Sequence, residues 1–263
     1  MNECQECVFK QLNPNDEWCS MFSKPIPDCK QFIRWITTNR SPTMDIKQYN
    51  INLGYWLNRY EILGGRKTVG HISWDDADYL YEKTEIQKQL KRFLPSVPEF
   101  NILDFGCGVC RHMEFLKEVY PNGTYYGTDI VSSVIHENKI YHESERCHFE
   151  LFDGYKIPFT EPRLVMFNLI FCSVVLQHII DNDLLDLYIS QFWKRVKEKG
   201  YVLIYENIHS ENKDRDYIKF RTAQTYHSLF EKVGFEFIRS ETGVSMSELH
   251  IAILFRKPTK EKR

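Results

Sequence analysis

The stretch Phe100-Asn-Ile-Leu-Asp-Phe-Gly-Cys-Gly-Val-Cys110 constrains this chain more than any other. Phe100, Ile102, Leu103 and Phe105 make an apolar strand that carries an acid, Asp104, and ends in two glycines, Gly106 and Gly108. The helix-like run Arg111-His-Met-Glu-Phe-Leu-Lys-Glu-Val-Tyr120 follows at once. Glycine admits backbone angles that other residues avoid and lets the main chain approach a ligand closely. A helix starting there directs unpaired N–H groups at whatever occupies the turn. Strand, glycine turn and helix in this order predict a nucleotide-binding corner at the first βα junction of an α/β sheet.

A second acid supports that reading. Asp129 ends the next apolar run, Thr124-Tyr-Tyr-Gly-Thr-Asp-Ile130, and lies 21 positions after Gly108. A carboxylate at the tip of the second strand is placed to accept the hydroxyls of a ribose. The nature of the nucleotide turns on the next residues. A dinucleotide fingerprint needs a small residue three positions after the second glycine, for close helix–strand packing. Arg111 stands there and is too large, which sets a nicotinamide dehydrogenase far behind other readings. No Gly-x-x-x-x-Gly-Lys phosphate loop occurs.

At this point the chain resembles the class I S-adenosylmethionine-dependent methyltransferases. Their first motif reads acid, x, Gly, x, Gly, x, Gly, and Asp104-Phe-Gly106-Cys-Gly108-Val-Cys110 matches except at the last place. Phe152-Asp153-Gly154, followed by Ile157-Pro158-Phe159, is similar to the family's third motif. The run Phe167-Asn168 to His178 is similar to the fourth-strand motif, with Asn168 where the family usually has Asp. Lys199-Gly200-Tyr201 through Glu206 resembles the entry to the fifth strand, and the likeness spans about residues 90–256. The resemblance implies a cofactor surface. Asp104, Gly106 and Gly108 would meet the methionine end, Asp129 the ribose, and Phe152 and Asp153 the adenine. Cys107, Ile130, Gly154 and Cys172 complete the expected lining.

The alternation of elements agrees with this fold. Strands are expected near 100–105, 124–129, 147–151, 167–172, 200–206, 235–240 and 249–256, and helices near 110–119, 132–139, 182–197 and 222–233. Such alternation predicts a Rossmann-like, seven-stranded, mostly parallel sheet with helices on both faces. The last two strands are joined too closely for a parallel crossover, so one strand should be antiparallel. Residues 99–263 would form this domain. Residues 46–98, aromatic and helical in character, read as a cap or lid, with Tyr55, Trp56 and Arg59 as candidates to roof the cofactor. π density facing a cationic ligand is favourable.

Residues 1–45 form a separate cysteine-rich segment. Cys4, Cys7, Cys19 and Cys29 lie there, four of the eight cysteines in the chain. In a reducing compartment clustered thiols suggest a metal rather than disulfides, and Cys4-x-x-Cys7 is a chelating spacing. Zinc held by the four, or four separate reduced thiols, are the two readings. The N-terminal residues lack the basic and apolar regions of a secretory signal, and no apolar run is long enough to span a bilayer. A cytoplasmic protein is expected. A net charge of −2 supplies no global basic field for nucleic acid.

The expected reaction is methyl transfer from S-adenosylmethionine to an oxygen or nitrogen of a small polar metabolite, such as a sugar-linked group. Methylation of nucleic acid or protein is the alternative, and a non-catalytic cofactor-binding protein is another. Neither Asn/Asp-Pro-Pro-aromatic nor a Pro-Cys nucleophile occurs, which weighs against common DNA base methylases. A base for the acceptor's proton is sought among His178, Glu206 and His209, at the strand ends where ligands bind in such sheets. Asp181-Asn-Asp183, just before a helix, reads as an N-cap rather than a metal site. Oligomeric state leaves no mark on the sequence.

Overall fold

The computed structural model describes residues 46–64, 76–94, 100–209, 213–215, 218–245 and 248–259. The chain divides after Lys47, and the sheet and the site described below belong to the second unit, residues 48–263. Helices α1 (Ile46–Leu63) and α2 (Asp76–Lys91) precede β1 (Asn101–Phe105), α3 (Met113–Val119), β2 (Thr124–Asp129), α4 (Ser132–His142) and β3 (Cys147–Leu151). Then come β4 (Phe167–Ser173), a single 3-10 turn (Leu176–His178), α5 (Asn182–Arg195) and β5 (Val196–Asn207). The chain continues through β6 (Lys213–Arg215), β7 (Ile218–Phe220), α6 (Ala223–Val233), β8 (Glu236–Ser245) and β9 (Glu248–Arg256).

Seven strands form one sheet in the order β3-β2-β1-β4-β5-β9-β8. β9 runs antiparallel to both of its neighbours, and the other contacts are parallel. This is the expected Rossmann-like sheet. Alternate side chains feed two cores. Leu103, Ile170, Cys172, Val202 and Ile204 face one layer with Phe192 and Phe230. Ile102, Leu169, Phe171, Leu203 and Leu254 face the other with Leu116, Ile86 and Leu90. A strand buried on both faces has no polar side, which is why β4 reads as a continuous apolar run. The chain winds from β1 outward through β2 to β3 and then crosses back to β4 on the other side of β1, so a crevice opens at the carboxyl ends of β1 and β4.

Helix limits follow local chemistry. The Asp181 carboxylate accepts the Leu184 N–H at 2.8 Å and caps α5, as the sequence suggested. Several ends differ from expectation, among them the limit of the fourth helix, which runs to His142 rather than 139, and two have a clear local cause. α3 starts at Met113 rather than 110, because Cys110 adopts a φ of 58° and cannot join a right-handed helix. α5 stops at Arg195 rather than 197. There the Arg195 guanidinium donates to the carbonyls of Ile157, Pro158, Phe159 and Val165, while Val196 enters the sheet opposite Phe167. The hairpin β6–β7 was not expected. Among the described residues no helix is long and apolar enough to cross a membrane.

Candidate active site

The site grows from the turn after β1. The N–H groups of Gly106 and Cys107 both donate to the Thr128 carbonyl, at 2.8 and 2.9 Å, and pin the turn to β2. Gly106 has a φ of +75°, and a methyl group there would lie 2.4 Å from Val175 Cγ2. Only glycine satisfies both conditions. Asn138, buried on α4, donates to the Gly108 carbonyl at 2.8 Å and fixes the turn from behind.

Two acids flank this turn. Asp104 lies at the end of β1, 3% exposed, and accepts the Tyr125 hydroxyl at 2.6 Å. Burial pushes its carboxyl up to about 7, against the opposing pull of Tyr125 and Arg111. Asp129 accepts the N–H of Gly108 at 3.0 Å on one oxygen and the N–H of Val131 at 3.0 Å on the other. Burial also raises its pKa, while those backbone donors and Ile130 hold it down. A carboxylate offers about four acceptor sites, so capacity remains for a ligand hydroxyl.

Both acids open into one cavity, which with its mouth encloses about 1120 Å³ of empty space. Of the residues predicted for the cofactor, Asp104, Gly106, Cys107, Gly108, Asp129 and Ile130 line it. Phe152 and Trp56 line it too, as does His178, predicted as a base. Trp56, on α1, meets His178 edge to face, with ring centroids 4.8 Å apart at 88°. Tyr60, Val131 and Val134 form a small core under that helix.

Other predicted residues fall outside the lining. The Asp153 carboxylate accepts the N–H groups of Tyr155 and Lys156 at 2.8 and 2.7 Å, which is a local turn. Gly154 has a φ of +77° and its carbonyl accepts the Tyr188 hydroxyl. Arg59 donates to the Tyr55 hydroxyl at 3.1 Å and lies over the Trp56 ring, so this pair buttresses Trp56 from behind. Cys172 is fully buried within β4. The His209 ring packs on Phe220 instead of facing the cavity.

Glu206 is not placed to meet an acceptor. It is 0% exposed, and its carboxylate accepts the N–H groups of Val175, Leu176 and Gln177 at 3.0, 2.9 and 3.2 Å. Burial pushes it up to about 7 although these donors and Arg221 favour the charged form. Cys4, Cys7, Cys19 and Cys29 lie outside the described residues. Among the described residues no group of three or more His, Cys, Asp or Glu is arranged to hold a metal ion.

Sequence reasoning missed several walls. Val174, Val175 and Ile179, after β4, close one side, and Leu184 and Tyr188 of α5 deepen it. Position at the carboxyl end of β4, beside the crevice, was the available signal. Arg111 and His112 also line the cavity: Arg111 Nε donates to His112 Nε2 at 3.0 Å, and its terminal nitrogen reaches Ser173 Oγ at 3.4 Å.

Residues 103–202 match the family model of a methyltransferase domain, a segment that runs from β1 into β5 and includes both acids and His178. This segment is a methyltransferase domain. No curated protein matches the sequence. Solved structures share the methyltransferase's fold at low identity. One chain of the Haloferax volcanii complex between the Trm112 methyltransferase activator and a methyltransferase superposes with a TM-score of 0.60. It shows 12% identity and covers 72% of this chain and 95% of its own. The N-methyltransferase NodS from Bradyrhizobium japonicum has a TM-score of 0.55 and 17% identity, covering 70% of this chain and 99% of that one. The cyclase SpnF has a TM-score of 0.56 and 12% identity, covering 66% and 80%. The methyltransferase's own residues fit the donor: a glycine whose missing side chain leaves the turn open, one buried and one partly buried acid, and an apolar wall for a base.

Proposed function

We propose that this methyltransferase transfers the methyl group of S-adenosylmethionine to an oxygen or nitrogen of a small polar metabolite, with His178 taking the acceptor's proton. The observation that carries the reading is that the donor corner and His178 share one cavity, closed on one side by Trp56. The bound donor supplies an electrophilic methyl on a sulfonium whose positive charge disappears as the methyl leaves. The chain's part is to align and to exclude water. Asp129 holds the ribose hydroxyls, Gly106 and Gly108 let the main chain close on the amino-acid end, and Ile130 with Val175 forms apolar walls. Trp56 offers ring density toward the cation, and the helix that carries it serves as a cap beside the cavity. A recessed cavity walled by Trp56, Val175, Ile179 and Tyr188 favours a small acceptor over a nucleic acid or protein chain. The Cys4-x-x-Cys7 spacing supports a zinc ion held with Cys19 and Cys29, and a cytoplasmic setting, where thiols stay reduced, suits such a site. NodS and SpnF differ in activity on similar folds, so the acceptor is argued from the cavity alone.

The direct test is label transfer from methyl-labelled S-adenosylmethionine into a small-molecule extract, with RNA and peptide fractions beside it. Label entering only the macromolecular fractions would replace this acceptor class. Asp129→Ala should weaken donor affinity by about 1–3 kcal/mol, the scale of a lost charged hydrogen-bond partner. Asp129→Asn, which keeps one acceptor oxygen, should lose less. Calorimetry reads both, and unchanged affinity in Asp129→Ala removes the ribose role. His178→Ala should lower turnover by about 10²–10⁴-fold, the range of a general base, with donor affinity changed only a few-fold. Full turnover would reduce His178 to packing against Trp56.

A further inference from the structure

We infer that Glu206 and Arg221 are positioning residues for methyl transfer: they clamp the segment 174–182, one by its N–H groups and the other by its carbonyls, and that segment carries Val175 and His178 into the cavity wall. The inference rests on the methyltransferase reading above and assigns two buried charges that the reaction itself does not touch.

The segment leaves β4 and turns through the 3-10 turn before α5. Buried main-chain groups need partners, and a three-residue turn supplies few of its own. Every N–H from Val174 to Ile179 is accounted for. Val174 donates to the Tyr205 carbonyl at 2.7 Å. Val175, Leu176 and Gln177 donate to the Glu206 carboxylate. His178 and Ile179 donate to the carbonyls of Val175 and Leu176, at 2.9 and 3.2 Å. One anion therefore caps the start of the turn, where backbone dipoles favour negative charge.

Arg221 holds the segment's carbonyls. It is 1% exposed, just after β7, and donates to the Leu176 carbonyl at 3.1 Å, the Ile179 carbonyl at 2.7 Å and Asn182 Oδ1 at 3.2 Å. Gln177 adds a tie, its side-chain oxygen accepting the Asn207 N–H at 3.2 Å. These bonds come from residues remote in sequence, so the segment's shape is imposed from outside. Its backbone needs that support: Val174 has a φ of 57°, an unfavourable angle for a β-branched residue that persists only where surroundings enforce it.

The clamped segment sets two distances that matter to the site. Val175 fills the space left by the missing side chain of Gly106. His178 is held against Trp56. Misplacing a reacting group by about 1 Å can reduce rate about a hundredfold.

The test compares Glu206→Gln, Arg221→Lys and Arg221→Ala with Phe235→Leu, a core change outside the site that controls for lost stability. Amide hydrogen exchange comes first and needs no acceptor. In the unaltered protein the amides of Val175, Leu176 and Gln177 should exchange as slowly as those of β4. In Glu206→Gln they should exchange at least tenfold faster while β4 amides keep their protection. The His178 ring resonance should shift in Glu206→Gln and Arg221→Ala, recover in Arg221→Lys and stay fixed in Phe235→Leu. Label transfer should fall roughly 10–100-fold in Glu206→Gln, with affinity for S-adenosylhomocysteine changed much less. Loop-like exchange at 175–177 in the unaltered protein would overturn the clamp even if every variant misfolded. So would unaltered exchange, His178 resonance and turnover in a folded Glu206→Gln. Donor calorimetry on the unaltered protein stands apart: its failure would sink the methyltransferase reading and leave the exchange result intact.

Discussion

Gly106→Ala should abolish donor binding at ordinary concentrations. Two penalties combine there. A φ of +75° puts any other residue in the left-handed region, which costs about 1–2 kcal/mol. The new methyl would sit 2.4 Å from Val175 Cγ2 and 2.9 Å from Cγ1, and forcing extra carbon into a filled space typically costs about 1–3 kcal/mol. Valine has no flexible end to swing aside. Either the turn or the segment after β4 must move, and both are walls of the donor's space. The sum, about 2–5 kcal/mol, corresponds to a loss of roughly thirty to several thousandfold if it falls on the binding-competent state. Titration with S-adenosylmethionine and S-adenosylhomocysteine measures it. Gly106→Ala combined with Val175→Ala should relieve the clash and keep the strain. Gly64→Ala is the control, since Gly64 has a φ of +61° but nothing within 4 Å of the added carbon. It should lower stability alone. Wild-type affinity in Gly106→Ala would show that the turn is not where the donor lies.

The parts of this site that could be read from the sequence are those whose chemistry is local. A strand, two glycines and a helix start lie within a dozen residues, and the next strand-end acid announces itself by position. The strand pattern was legible because buried β strands leave apolar runs between turn residues. β6 and β7 left no such trace. Each has three residues, and Lys213-Asp-Arg215 shows no apolar alternation. Cys110 marks a boundary case. The family motif has glycine there, and the φ of 58° explains why: the position is left-handed, and a side chain makes it strained. Glu206 misled for a physical reason. A carboxylate at the end of a strand near a crevice is where a base belongs, and nothing in the sequence shows three N–H groups about thirty residues upstream folding onto it. Arg221 gave no signal at all, since a basic residue before a helix is ordinary until its carbonyl partners, 45 and 42 residues away, are known. Arg111 was noticed only as too large for a dinucleotide site. Its bond to Ser173 across 62 residues makes it part of a wall.

Donor affinity should fall as pH is lowered through about 7, by up to tenfold for each unit, and level off above. The group responsible is Asp104, whose carboxyl burial pushes up to about 7 from 3.8. The donor brings a sulfonium and, below about pH 7, a protonated amino group. An ionised Asp104 facing this charge binds it, and a protonated one does not, so binding pulls the carboxyl's pKa down. The affinity then rises with pH from the bound-state pKa up to about 7. One unit of pKa difference is about 1.4 kcal/mol, which sets the slope. Fold stability should run the other way. A carboxyl whose folded pKa lies above its unfolded value stabilises the fold fully below the unfolded value, about 3.8, and that contribution is lost as pH rises through about 7. Raising pH to about 7 should therefore weaken the free protein while strengthening donor binding, so the donor's thermal protection grows over that range and then levels off. Asp104→Asn, a neutral near-isostere that still accepts the Tyr125 hydroxyl, should flatten the affinity profile at the value of the acid limb. Glu206 is also pushed up to about 7 but does not line the cavity, so it cannot meet the donor charge directly. Calorimetric affinities across about pH 5.5–8.5 on both proteins decide the matter. A slope that survives in Asp104→Asn would move the titration to Glu206, and a flat profile in the unaltered protein would mean that the Asp104 carboxyl does not face the donor's charge.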